Sequence, residues 1–139
     1  MKNPSIRRGM RIHFMGISGI GMSGLAAICH ERGCVVSGCD AKLNGVAHRL
    51  QAQGVAVSVG HDPHHVDGTI DLLVYSAAIS AQEPERRIAP SRGIPAISRG
   101  ELLGVLAANR PLVAVAGAHG KTTTSGMAAQ LLIEAGWDP

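Results

Sequence analysis

Twice in this chain a short apolar run drives straight into a cluster of glycines and emerges as a helical pattern. Residues 11–15 lead into Gly16-Ile17-Ser18-Gly19-Ile20-Gly21-Met22-Ser23-Gly24. From there Met22, Leu25, Ala26 and Cys29 recur at the i, i+3, i+4, i+7 spacing of one helix face. About a hundred residues later, 112–116 lead into Gly117-Ala118-His119-Gly120-Lys121-Thr122-Thr123-Thr124 and a periodic stretch over 122–135. A strand that passes at once into a helix returns by a crossover, so its next strand lies parallel to it. Further short apolar runs at 35–39, 55–59, 72–75 and 94–97 alternate with helical stretches near 46–53, 83–92 and 101–108. The expected fold is α/β: a Rossmann-like parallel sheet with flanking helices over 1–108. It is followed over 109–139 by the first β–P-loop–α unit of a second α/β domain, restarting at Asn109-Arg110-Pro111. A sixth strand in the same sheet is the alternative that periodicity leaves open.

Composition narrows the function. With 45% hydrophobic residues and a net charge of only +3, the chain can bury a core. Its basic residues form no stripe, and a single Phe, Tyr and Trp leave no stacking platform, so a nucleic-acid partner is not expected. No apolar run reaches the roughly 18–20 residues of a membrane span. Arg7-Arg8 lacks the apolar region of an export signal, so a cytoplasmic protein with reduced thiols is expected. Cys29, Cys34 and Cys39 form no close C-x-x-C pair, which argues against a zinc site built on them. His61, His64 and His65 with Asp62 and Asp67 read as a solvated loop, and Glu83, Glu85, Arg86 and Arg87 as a solvated helix face.

The first glycine loop reads G-x-G-x-x-G from Gly19. Glycines there let backbone approach a ligand, and the helix start that follows presents amides to an anion. Asp40, closing the second apolar run, lies where a ribose-binding acid sits in dinucleotide folds. The second loop is a short phosphate-loop variant, G-x-x-G-K-T-T, because Val115 stands where the general pattern has glycine. Its lysine would neutralise terminal phosphates, and the next hydroxyl, Thr122, would hold Mg²⁺. A dehydrogenase needs the first loop alone, and a P-loop kinase the second alone.

These loops, with Val36-Ser37-Gly38-Cys39-Asp40, Gly60-His61, Ser76-Ala77-Ala78-Ile79-Ser80, Gly93-Ile94-Pro95 and Arg99-Gly100-Glu101-Leu102-Leu103, resemble in order the amino-terminal part of the Mur ligase family. The likeness runs from about residue 11 to 139. It implies an ATP-dependent amino-acid ligase with ATP and Mg²⁺ as cofactors. The family's first domain binds the UDP portion of UDP-N-acetylmuramate, its central domain binds ATP, and a third helps bind the amino acid. Carried onto this chain, Gly16, Ser18, Gly19, Ile20, Gly21 and Met22 would face the diphosphate. Asp40 and His61 would lie near the uridine, and Ser76 near the nucleotide-sugar. Gly117, Ala118, His119, Gly120, Lys121, Thr122 and Thr123 would hold ATP, with Lys121 on the β- and γ-phosphates as the catalytic residue and Thr122 on Mg²⁺. Ser18, Ala77 and Ala118 depart from the family's usual glycine, serine and threonine.

The implied reaction phosphorylates the muramic carboxylate to an acyl phosphate, which the amine of L-alanine attacks, in peptidoglycan precursor synthesis. The retained G-I-G-M favours the alanine-adding member over the one that recycles tripeptide onto the same sugar. An NAD-binding oxidoreductase domain and a non-catalytic UDP-sugar module are the alternatives from other classes. The length reads as a truncation after the ATP loop, so the isolated chain is expected to bind nucleotide-sugar without forming an amide bond.

Overall fold

In the computed structural model, which describes residues 5–108 and 111–139, the chain forms two compact units, Met1–Ala108 and Asn109–Pro139. The predicted restart at Asn109-Arg110 falls outside the described residues.

The first unit is a sheet of five strands: β1 (Arg11–Met15), β2 (Val35–Asp40), β3 (Ala56–Val59), β4 (Leu72–Tyr75) and β5 (Ala96–Ser98). All its pairings are parallel, in the order β3-β2-β1-β4-β5. The chain steps outward from β1 to β3 and then returns to lay β4 on the other side of β1. That reversal opens a crevice beyond the carboxyl ends of β1 and β4, where ligands of open α/β sheets bind.

Alternate strand residues point to opposite faces. Ile12, Phe14, Val36, Val74 and Ile97 pack with helices α1 (Ile20–Glu31), α2 (Gly45–Ala52) and α4 (Arg99–Ala107) through Met22, Leu25, Ala26, Leu50 and Leu102. Met15, Cys39 and Leu73 pack instead with Val66, Ile70, Ala89 and Ile94. Two 3₁₀ turns, Pro63–His65 and Pro90–Arg92, and the short helix α3 (Pro84–Ile88) belong to the chain segment that covers this second face. Strands covered on both sides must be apolar throughout, which is why 72–75 stands out in the sequence.

The helix starts follow their caps. Asn44 accepts from the amides of Val46 and Ala47, and Ser98 with Glu101 forms a reciprocal capping box that starts α4 at Arg99. Hydrogen bonds from the Ser98 backbone and side chain hold the Glu101 carboxyl below its ordinary pKa. The helix expected over 83–92 is broken, because Pro90 has no N–H with which to continue it.

In the second unit, α5 (Lys121–Glu134) ends in a Schellman motif. The Gly136 N–H donates to Ile133 O and the Trp137 N–H to Leu132 O, with Gly136 at φ 82. The strand expected over 112–116 is not formed, since a strand needs a ladder partner and none pairs with it among the described residues. The apolar stripe on α5 is split. Ala128 and Leu132 line a groove with Leu112, Val113 and Val115, whereas Met127 and Leu131 are 65% and 67% exposed rather than core-facing.

Two glycines separate the steric demands of the sheet from those of its surface. A Cβ at Gly38 would lie 2.7 Å from the Phe14 carbonyl oxygen and 2.5 Å from Ile17 Cδ1, whereas one at Gly45 meets nothing within 4 Å. Gly38→Ala should therefore cost about 1–3 kcal/mol, and Gly45→Ala should be neutral or stabilise by up to about 1 kcal/mol. Urea unfolding midpoints check both.

Candidate functional site

The first glycine loop is built on the end of β2. The amides of Gly16 and Ile17 both donate to the Cys39 carbonyl, at 2.8 and 3.2 Å. Gly16 sits at φ +79, and a Cβ there would come within 3.3 Å of Ser76 Cβ. Glycine thus serves both the turn and the close approach of the loop to the end of β4. Ile17 is fully buried and anchors the turn. Ser18 is tied down three times: its N–H donates to Asp40 Oδ2 (3.0 Å), its hydroxyl to the Lys42 carbonyl (3.0 Å), and its carbonyl accepts from Asn44 Nδ2 (3.0 Å).

The outer half of the loop is open. Gly19 caps α1 with extended backbone and no side chain, so no side-chain acceptor covers the first turn. Amides at such a terminus, with the positive end of the helix dipole behind them, receive an anion. Ile20 is 85% exposed beside them, while the Met22 side chain is buried in the core and leaves only its backbone near the loop. Arg99, the first residue of α4, lies over this turn, and a Cβ at Gly21 would run into its guanidinium. Sequence reasoning took Glu101 as a helix-start acid and, on the family resemblance, left a functional part open to the Arg99–Glu101 pair without specifying it. The signal of Arg99 was its place one residue after the cap Ser98, which aims it at the same sheet edge as the loop.

Among the other predicted residues, Asp40 faces the loop, and its two oxygens accept from the amides of Ser18 and Lys42. The Gly60 amide donates to the Asp40 carbonyl at 2.8 Å, which brings His61 to the end of β2. Ser76 follows β4 and lies against Gly16. The structure thus brings Gly16, Gly19, Ile20, Gly21, Asp40 and Ser76 to one sheet end. The Ser18 hydroxyl points away, toward Lys42.

Behind that end lies a group that sequence reasoning dispersed. Glu85, expected on a solvated face, is fully buried. Its Oε1 accepts from the Asp62 N–H (3.0 Å) and from Cys39 Sγ (3.3 Å), and lies 3.1 Å from His65 Nδ1 and 3.4 Å from His61 Nδ1. Burial pushes the Glu85 carboxyl up, but these hydrogen bonds outweigh it and hold it below its ordinary range. His13, buried on β1, is lowered to about 4, chiefly by desolvation and then by His65. Arg86 is not free in solvent either: it donates to the Ile79 carbonyl and stacks over the Tyr75 ring at 3.8 Å. The pairing of β1 with β2 and the fold-back of 60–88 create this group, and no short-range spacing encodes it.

In the second unit, Gly120 takes φ 77 and starts α5 with no side-chain cap, and Lys121 Nζ donates to the Gly117 and Ala118 carbonyls at 2.6 and 3.3 Å. Lys121, Thr122 and Thr123 are exposed, so an uncapped helix start, a lysine and two hydroxyls stand together. That donor set fits a phosphate chain with its metal.

The Mur ligase family catalytic domain matches residues 11–111. The chain is 44% identical over 134 residues to the UDP-N-acetylmuramate–L-alanine ligase of Carboxydothermus hydrogenoformans, covering 96% of this chain and 29% of that protein. It is 48% identical over 131 residues to the enzyme of the same name from Kineococcus radiotolerans, covering 93% and 28%. Among solved structures it resembles a murein peptide ligase from Psychrobacter arcticus at TM-score 0.86 and 33% identity, over 92% of this chain and 27% of that one. The UDP-N-acetylmuramate–alanine ligase of Thermotoga maritima follows at 0.80 and 30%, over 88% and 29%. The chain therefore spans under a third of the length of these relatives. With its switch-point sheet, its glycine loop and its match over 11–111, it belongs to the Mur ligase family.

Proposed function

We propose that this chain is the amino-terminal portion of an ATP-dependent UDP-N-acetylmuramate–L-alanine ligase acting in the cytoplasm in peptidoglycan precursor synthesis. Residues 1–108 form its UDP-substrate domain, and 109–139 begin its ATP-binding domain. No helix among the described residues is long and apolar enough to cross a membrane. The observation that carries the reading is the uncapped start of α1 beneath Arg99, at the switch point of a Mur ligase sheet. The alanine-adding assignment is supported by 42–48% identity to curated ligases of that name over nearly the whole chain. Family membership leaves the nicotinamide-dependent alternative without support of its own.

In this reading the amides of Ile20 and Gly21 and the Arg99 guanidinium hold the diphosphate of UDP-N-acetylmuramate, while Gly16, Gly19 and Met22 shape the turn, the Gly19 amide donating to the Gly16 carbonyl and the Met22 amide to the Gly19 carbonyl. Ser76 faces the sugar side of the loop, and Asp40 and His61 border the uridine. Asp40 acts by fixing Ser18, and with it the loop, because its carboxylate already accepts the Ser18 amide. In the second loop Gly117, Ala118, His119 and Gly120 shape the turn, and Thr122 and Thr123 offer hydroxyls, Thr122 to Mg²⁺. Lys121 leaves the loop carbonyls it now holds and places its charge on the β- and γ-phosphates. ATP with Mg²⁺ supplies the phosphoryl group that activates the muramic carboxylate for attack by the L-alanine amine. The contribution of Lys121 is electrostatic, on charge that develops during transfer.

Calorimetry on this chain should show binding of UDP-N-acetylmuramate and, separately, of ATP with Mg²⁺. Arg99→Ala should weaken the first about tenfold or more by removing a charged hydrogen-bond donor, and leave the second unchanged. Lys121→Ala should do the reverse. Binding of NAD in place of UDP-N-acetylmuramate would overturn the reading. The chain alone should release no phosphate in an alanine-dependent manner, which a coupled phosphate assay checks.

A further inference from the structure

We propose that His13, Cys39, His65 and Glu85 form a structural zinc site that bolts the second face of the sheet to the segment covering it. One donor atom from each lies within 4.8 Å of all the others. The near pairs are His13 Nε2 to Cys39 Sγ at 3.4 Å, Cys39 Sγ to Glu85 Oε1 at 3.3 Å, and His65 Nδ1 to Glu85 Oε1 at 3.1 Å. Tetrahedral zinc, with bonds of about 2.0–2.3 Å, has ligand–ligand edges of about 3.3–3.7 Å. The near pairs already stand close to that spacing, and the widest separation needs to close by about 1.5 Å at most.

Three features favour a metal over a set of hydrogen bonds. The first is an orphan: Glu85 Oε2 is buried with no hydrogen-bond partner among the described residues, a state that buried carboxylates rarely keep and that a carboxylate holding the ion through both oxygens relieves. The second is charge. A thiolate, a carboxylate, two neutral imidazoles and a divalent cation sum to zero, which removes the cost of placing Glu85 in a buried site. The third is the surrounding support. His13 Nδ1 lies 2.9 Å from Ser37 Oγ, so the tautomer that donates Nδ1–H to that hydroxyl presents the Nε2 lone pair to an ion, and the Asp62 N–H holds Glu85 Oε1.

The donor set selects the ion. Sulfur with two imidazoles suits zinc, and cobalt(II) as its spectroscopic stand-in, and disfavours magnesium or calcium, which take oxygen ligands. Four protein ligands, three of them buried, leave no open position, so the site is structural rather than catalytic. It joins β1, β2, the 3₁₀ turn Pro63–His65 and α3, and so fixes the sheet end that carries Asp40 and His61.

The test is cobalt(II) titration of the chelator-treated 139-residue chain, followed by absorption. The expected result is one equivalent bound, with a thiolate-to-cobalt charge-transfer band and tetrahedral d–d bands that zinc abolishes. Cys39→Ser should lose the charge-transfer band, while Cys29→Ser and Cys34→Ser keep it. Absence of the band at saturating cobalt in chain shown to be folded by circular dichroism overturns the proposal, and so does its persistence in Cys39→Ser. Should Cys39→Ser fail to fold, His65→Ala, at a partly exposed ligand, should bind cobalt at least tenfold more weakly. Unchanged affinity in that variant overturns the site.

Discussion

The Cys39 carbonyl is the point on which the arrangement turns. It receives the amides of both Gly16 and Ile17, so the chain leaving β1 is folded back against the last residues of β2 before α1 begins. That contact requires Gly38, because a side chain there would occupy the space taken by Ile17 and the Phe14 carbonyl. Asp40 extends the same seam by accepting the Ser18 amide. Held so, the loop presents an uncapped helix start at the strand-order reversal, and Arg99 arrives over it from α4. Moving the seam would displace the amides of the helix start and Arg99 relative to one another.

The two faces of the sheet are sealed by different means. The face toward α1, α2 and α4 has ordinary aliphatic packing around Phe14, Leu25 and Leu102. The other is covered by short turns and a five-residue helix, with fewer large apolar side chains. Polar groups converge in that thinner layer: two imidazoles, a thiol and a carboxylate with one unsatisfied oxygen. A metal there supplies cohesion that short elements cannot obtain from area alone.

Much of the fold was legible because its signals are local. Residues 11–15 and 72–75 were expected as strands and form β1 and β4, since strands buried on both faces are apolar and bounded by glycine or polar residues. The face of α1 follows Met22, Leu25, Ala26 and Cys29 as its periodicity requires. The glycine loop and Asp40 were legible together because the α/β topology carries strand ends to one edge, whereas Ser76 was indicated only by the family resemblance. What escaped was non-local. Glu85 sits in a run of charges that looks solvated, and only the fold-back of 60–88 buries it against Cys39 and His13. His65 was read with its chain neighbours His61 and His64, although its partners lie on β1 and α3. Residues 112–116 have a strand's composition but no neighbouring ladder.

The central claim is that the end of the sheet bearing the first glycine loop receives the diphosphate of UDP-N-acetylmuramate. Nuclear magnetic resonance of the ¹⁵N-labelled chain, titrated with that compound, tests it most directly. The account predicts that the largest amide shifts fall on Gly16, Gly19, Ile20, Gly21 and Ser76, with the Arg99 side-chain resonance moving alongside them. Shifts confined to Lys121–Thr124, or none at saturating ligand, would contradict it.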